Sequence, residues 1–169
     1  MLKIAINYEE QLKKKMYETW FDDFYKYYEF STYYTEPVID RDTWAQHQFV
    51  SVDHVDNIVG YIAYSVNRQT DSAFGLSAIN FTDDKVTFGM DLGRALIDIF
   101  EKFKFNKLSF EVVVGNPIEE SYDKMVKRYK GRIVGVKKQD VKLIDGNIYD
   151  VKMYEILRDD YLRTIKKED

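Results

Sequence analysis

The chain has no cysteine and only two histidines, His47 and His54. The first absence removes disulfides, thiol nucleophiles and Cys-ligated metals. The second leaves too few imidazoles for a His-rich metal site. Seven residues separate the two, so they share no strand face, because side chains alternate with period two. They read as ordinary surface or core histidines, and no metal is expected. No apolar run approaches the ~20 residues of a membrane-spanning helix, so no membrane partner is expected. The opening MLKIAINYEE lacks the apolar core and small-residue cleavage site of a secretory leader. The cytoplasm is the expected setting, and the lack of cysteine agrees with it. Surplus positive charge is missing too. Lys and Arg number 25 against 29 Asp and Glu, a net charge of −4 with pI near 5.3. A general nucleic-acid binder needs the reverse, so no nucleic acid is expected as partner.

What is present suits one soluble domain with a real core. The chain has 169 residues, enough for that, and no linker or internal repeat divides it. It is 45% hydrophobic and 32% charged, which is ordinary; only the 16% aromatic content is high. Residues 2–7 alternate well enough for a short strand. Residues 9–30 read as helix, whole or in two pieces, with Leu12, Met16, Trp20 and Phe24 at helical spacing. Residues 49–52, 58–66 and 73–81 read as strands, the last two antiparallel because their connection is short. Phe88, Leu92, Ala95, Leu96, Ile99, Phe100 and Phe103 mark the clearest amphipathic helix. Residues 108–114 are β-branched and apolar, as in a buried parallel strand. Gly115-Asn116-Pro117 breaks it, and proline suits the first turn of the next helix. Ile118, Tyr122, Met125 and Tyr129 stripe that helix. Residues 132–143 and 149–157 form a hairpin through Asp145-Gly146-Asn147. The tail from Arg158 is charged and reads as solvated. The expected fold class is α/β: a mixed central sheet, an antiparallel meander followed by a β-α-β-α unit and a closing hairpin. Residues 1–48 form a helical region, 49–157 the sheet core, and 158–169 the tail.

From Asn57 to Tyr154 this order, with its loop chemistry, resembles the GNAT superfamily, the Gcn5-related N-acetyltransferases. Three places carry the resemblance. Residues 73–103 look like the family's strand–loop–helix for acetyl-CoA. The strand ending in Gly115-Asn116-Pro117 is similar to the family's strand-then-asparagine step. The closing antiparallel pair is the third. The resemblance implies that acetyl-CoA wedges between two parallel strands that splay apart. It also implies that a primary amine, of a small molecule or a protein, attacks the thioester directly. Its alternative is a binding or assembly module with a degenerate loop. The pantetheine arm would pair along Ala78, Ile79, Asn80 and Phe81. The pyrophosphate would sit on helix-start amides, which offer unpaired N–H groups and a positive dipole end.

The family pattern, roughly Arg/Gln-x-x-Gly-x-Gly/Ala, falls on Phe88-Gly89-Met90-Asp91-Leu92-Gly93, with Arg94 beside it. Gly93 and Gly89 match. Phe88 stands where a basic or amide residue belongs, and Asp91 where the inner glycine belongs. Two like charges ~4 Å apart repel by about 1 kcal/mol in water and about 4 kcal/mol at a dielectric near 20. Asp91 therefore weakens anion binding if it faces the anion, and harms little if it points outward; it also suits a helix's first turn.

Four further groups are candidates for chemistry. By the resemblance Asn116 fixes the strand end or the cofactor arm; by its own chemistry it is a turn residue before proline. The resemblance implies a tyrosine acid that protonates the leaving thiolate; Tyr122, with Tyr129 as rival, is either that acid or a core aromatic. Glu111 inside an apolar strand is either an amine base of raised pKa or a residue of a half-exposed face. Residues 17–34 hold ten aromatics in eighteen positions together with Glu18, Asp22, Asp23 and Glu29. Aromatics with carboxylates suit an amine on an apolar body, so Tyr25, Tyr28 and Glu29 are acceptor candidates; the other reading is a packed helix with its acids in water. The strand at residues 149–157 is expected to offer an edge to a second copy.

Overall fold

The computed structural model describes residues 1–166. Seven strands form one sheet: β1 (Leu2–Ile4), β2 (Gln46–Val52), β3 (Ile58–Asn67), β4 (Ser72–Asn80), β5 (Lys107–Val113), β6 (Arg132–Lys142) and β7 (Ile148–Leu157). Their order is β1-β2-β3-β4-β5-β7-β6. The β4–β5 pair is parallel, whereas β1–β2, β2–β3, β5–β7 and β6–β7 are antiparallel. The helices are α1 (Glu9–Thr19), α2 (Glu29–Thr32), α3 (Lys85–Ile97), α4 (Glu119–Arg128) and α5 (Arg158–Ile165). This is the expected α/β meander, β-α-β-α unit and closing hairpin.

Contacts group the chain into two compact units. One comprises Met1–Ser65 and Ser77–Ile97; the other comprises Val66–Leu76 and the chain from Asp98 onward. In the first, Leu12 and Met16 recur at i, i+4 on α1 and are fully buried. They pack on Val50, Val52, Ile58, Tyr61, Ala63 and Ile79 from the strands. The helical run expected to reach residue 30 stops at Thr19. The Thr19 hydroxyl donates back to the Met16 carbonyl at 2.7 Å and meets the Ser31 hydroxyl at 2.7 Å. Asp22 then caps a 3-10 turn, Asp23–Tyr25, by accepting from the Phe24 N–H at 2.9 Å. Side chains that bond the local backbone compete with helix propagation.

In the second unit, alternation along β5 buries Leu108, Phe110 and Val112. Phe110 stacks on Tyr154 at 5.1 Å and meets Tyr122 edge-on at 5.1 Å. A single π-helical turn, Asp98–Lys102, follows α3. The β4–β5 ladder is short: Ser72, Ala73 and Phe74 face Lys107, Leu108 and Ser109. Gly75 follows at φ +63°, a left-handed conformation that glycine adopts without strain.

Two expectations are corrected. The tail from Arg158 is a helix rather than solvated coil; only residues 167–169 of it lie outside the described residues. Tyr161 is 2% exposed, stacks on Phe100 at 4.7 Å and donates to Glu101 at 2.7 Å. At that end of the sheet the edge strand is β6, because β7 is paired on both sides.

Candidate functional site

The turn from β4 into α3 organises itself around two side chains. Asn80 accepts from the Thr82 N–H at 3.0 Å and hydroxyl at 3.2 Å, and its amide donates to the Asp84 carbonyl at 3.3 Å. Asp84 is the N-cap, accepting from the Thr87 N–H at 2.9 Å. The Lys85 N–H donates to the Asp83 carbonyl at 2.9 Å. Bonds from the Thr87 hydroxyl, the Thr87 N–H and the Val86 N–H hold the Asp84 carboxyl below its ordinary pKa. The helix therefore starts at Lys85, ahead of the glycines, and residues 88–93 lie in its body rather than in a loop.

Those residues are spread over buried and open faces of the helix. Phe88 is buried; a methyl at Gly60 would meet its ring at 2.4 Å and the Ile79 carbonyl at 2.7 Å, so Gly60 makes the room it occupies. Gly89 and Gly93 have open space where a side chain would be. Met90 and Arg94 are exposed and Leu92 is half-buried. Asp91 points inward, with 8% exposure. Its carboxylate accepts from the Ser51 hydroxyl at 2.6 Å and pairs with the Met1 amino group at 2.9 Å. It faces neither an anion at the turn nor open solvent. On β4, Ile79 is buried while Ala78, Asn80 and Phe81 are half-buried; the Phe81 N–H is taken by the Val59 carbonyl at 2.8 Å.

At the end of β5 the chain turns through Gly115, φ +91°, whose N–H donates to Glu119 at 2.8 Å. Asn116 accepts from the Ile118 N–H at 3.1 Å, which is turn chemistry leading into α4. Tyr122 is 5% exposed, and burial pushes its phenol up to about 12. Tyr129 packs on Tyr161 at 5.0 Å under the Arg128 guanidinium. Glu111 is on the open face of β5, held by Lys137 at 2.8 and 3.0 Å. It does not sit in an apolar pocket, because strand alternation turns it away from Phe110 and Val112.

The sequence reading missed a charge cluster between α4 and β7. Lys152 pairs with Glu119 and, at 3.2 Å, with Asp123. Tyr154 donates to Asp123 at 2.6 Å. Lys152 first, then the Gly115 N–H, holds Glu119 below its ordinary pKa. Tyr154 first, then Lys152, does the same for Asp123. Burial, then Asp123, raises the Tyr154 phenol. The i, i+4 acids on α4 and the i, i+2 pair on β7 were the available signal.

On the acceptor side, Tyr25 and Tyr28 are half-buried against the core of the first unit, and the Ser77 hydroxyl donates to Tyr28 at 3.1 Å. Glu29 is exposed in the first turn of α2. Phe21 and Phe24 are exposed, and Phe21 stacks on Tyr34 at 5.3 Å. His47 is buried at 2.8 Å from the Tyr64 hydroxyl, and His54 is exposed. Among the described residues no three His, Asp or Glu side chains gather where a metal could be held, and no helix is long and apolar enough to cross a membrane.

No family model matches the sequence, and neither does any curated protein. Solved structures do match. A point mutant of the spermidine N-acetyltransferase from Vibrio cholerae superposes with a TM-score of 0.72, at 21% identity over 96% of this chain and 97% of that one. The V. cholerae enzyme in complex with CoA and spermine gives 0.70, at 19% identity over 96% and 97%. A dodecameric form in an intermediate state gives 0.61, at 24% identity over 71% and 69%. The chain has the GNAT fold.

The GNAT fold implies acetyl-CoA, and the turn into α3 can be tested for it. A pyrophosphate cradle needs free first-turn amides and glycines that let the backbone come close. Here the Val86 and Thr87 amides go to Asp84 and that of Lys85 goes to Asp83. No glycine stands among residues 81–87, and two acids do. These residues do not fit a pyrophosphate held in the GNAT manner.

Proposed function

We propose that this chain is an N-acetyltransferase. It would move the acetyl group of acetyl-CoA directly to a primary amine, with the whole chain acting as one catalytic domain. The observation that carries the reading is the match along nearly the full length of both chains to an enzyme solved with CoA and spermine. The acceptor we propose is an aliphatic polyamine. In its support, the first unit holds the acid surplus of the chain. Residues 17–34 combine that charge with exposed rings, which suits a cation on an apolar body. Tyr25, Tyr28 and Glu29 remain the acceptor residues in this proposal, Glu29 as the charge and the tyrosines as the wall.

Tyr122 is the proposed acid. With its phenol pushed up to about 12, it stays protonated at neutral pH and has a proton to give to a departing thiolate. Glu111, tied to Lys137 on an open face, is better placed for a salt bridge than for taking the amine's proton. Self-association belongs to the same proposal, since one matched structure is dodecameric; β6 would be the strand available for it.

The test is release of free CoA thiol from acetyl-CoA in the presence of spermidine or spermine. Release that depends on the amine is expected, and none with polyamines or simple monoamines would sink the reading. In Tyr122→Phe, kcat is expected to fall about 100-fold, in the usual range for losing a general acid, with amine binding kept. A full rate in that variant excludes Tyr122.

A further inference from the structure

We infer that this protein does not hold its acyl donor by the pyrophosphate, and therefore uses acetyl thioesters through the pantetheine arm alone, with or without the nucleotide. The inference rests on the transferase reading. It comes from the disagreement between the GNAT fold and the turn into α3. The Asp84 carboxylate already takes the Thr87 N–H at 2.9 Å, together with the Thr87 hydroxyl and the Val86 N–H. The Asp83 backbone carbonyl takes the Lys85 N–H. A pyrophosphate arriving there would meet two like charges and would have to displace an anion already bound by the chain. The glycines that mark the motif in sequence offer no second place for it. Gly89 and Gly93 lie in the helix body, where the amides are spent on the helix's own ladder. Asp91 between them is spoken for by Ser51 and the Met1 amino group. A thioester without the nucleotide loses nothing at this turn.

Two measurements test the inference. In turnover, acetyl-pantetheine and acetyl-CoA are expected to have kcat/KM values within about threefold. A preference for acetyl-CoA above about 100-fold overturns the inference. In calorimetry, adenosine 3′,5′-bisphosphate at millimolar concentration is expected to give no binding heat with the wild-type protein; clear binding overturns it. Asp84→Ser keeps a residue that caps helices nearly as well as aspartate and removes the resident anion. It is expected to tighten acetyl-CoA binding about tenfold and to leave acetyl-pantetheine unchanged. Equal change for both donors overturns the assignment to Asp84. Failure of both donors in every amine assay would sink the transferase reading; the calorimetry still decides this one.

Discussion

Asp91 stands where a phosphate-binding loop wants a small residue, and its charge is used inside the protein instead. It anchors α3 to β2 through Ser51 and to the Met1 amino group. Removing a buried acceptor leaves its donors unsatisfied, which costs about 1–3 kcal/mol. Asp91→Ala is expected to lower stability by about 2 kcal/mol in urea unfolding and to leave donor affinity unchanged, because the carboxylate faces away from the turn. A stable variant with tightened acetyl-CoA binding would contradict that orientation. Residue identity alone announced that Asp91 was out of place. It did not announce the direction, because that depends on Ser51, forty residues away in sequence. Glu111 is the opposite case: its apolar run left a pocket or a half-exposed face open, and alternation with Phe110 and Val112 sets it in the open beside Lys137.

Along α3 the apolar spacing was legible. Phe88, Ala95, Leu96, Ile99 and Phe100 are all buried as the stripe requires. Phe103 is 37% exposed, because the π turn Asp98–Lys102 adds a residue and rotates the stripe past it. The stripe reaches back to Phe88 and Asp84 caps the helix a turn ahead of it, so the glycines that match the loop pattern fall in the helix body. Helix α5 was hidden by its charge. Its few apolar residues suffice because Tyr161 stacks on Phe100 and bonds Glu101. Tyr161→Phe is expected to cost about 1 kcal/mol, the worth of one hydrogen bond. Tyr161→Ala is expected to cost about 3 kcal/mol or more, as for other buried aromatics. Equal costs in denaturant unfolding would mean that the ring does not anchor α5.

At the scale of the molecule, ionisation sets the limits of the second unit. Glu119 and Asp123 are held below the ordinary carboxylate range, and Lys152 is raised, with Glu119 as its largest cause. Depressed carboxylates add stability that is present above their unfolded pKa, near 4, and lost as pH falls through their folded values. The raised lysine adds stability that is present below its unfolded pKa, near 10.4, and lost as pH rises through its folded value. The gap in melting temperature between wild type and Lys152→Met is therefore expected to hold from pH 5 to 9 and to close below about pH 4. A gap independent of acid would remove the cluster from the account.

The sequence alone determined the order of strands and helices as far as β7, most core positions, and the resemblance to the acetyltransferase fold. Those follow from periodicity and turn residues, which are local. Tertiary structure decided which way Asp91 points, that β6 and not β7 is the open strand, and that Lys152 gathers Glu119 and Asp123. Each of these depends on which distant segments meet, and burial, pairing and anion binding are decided only where they do.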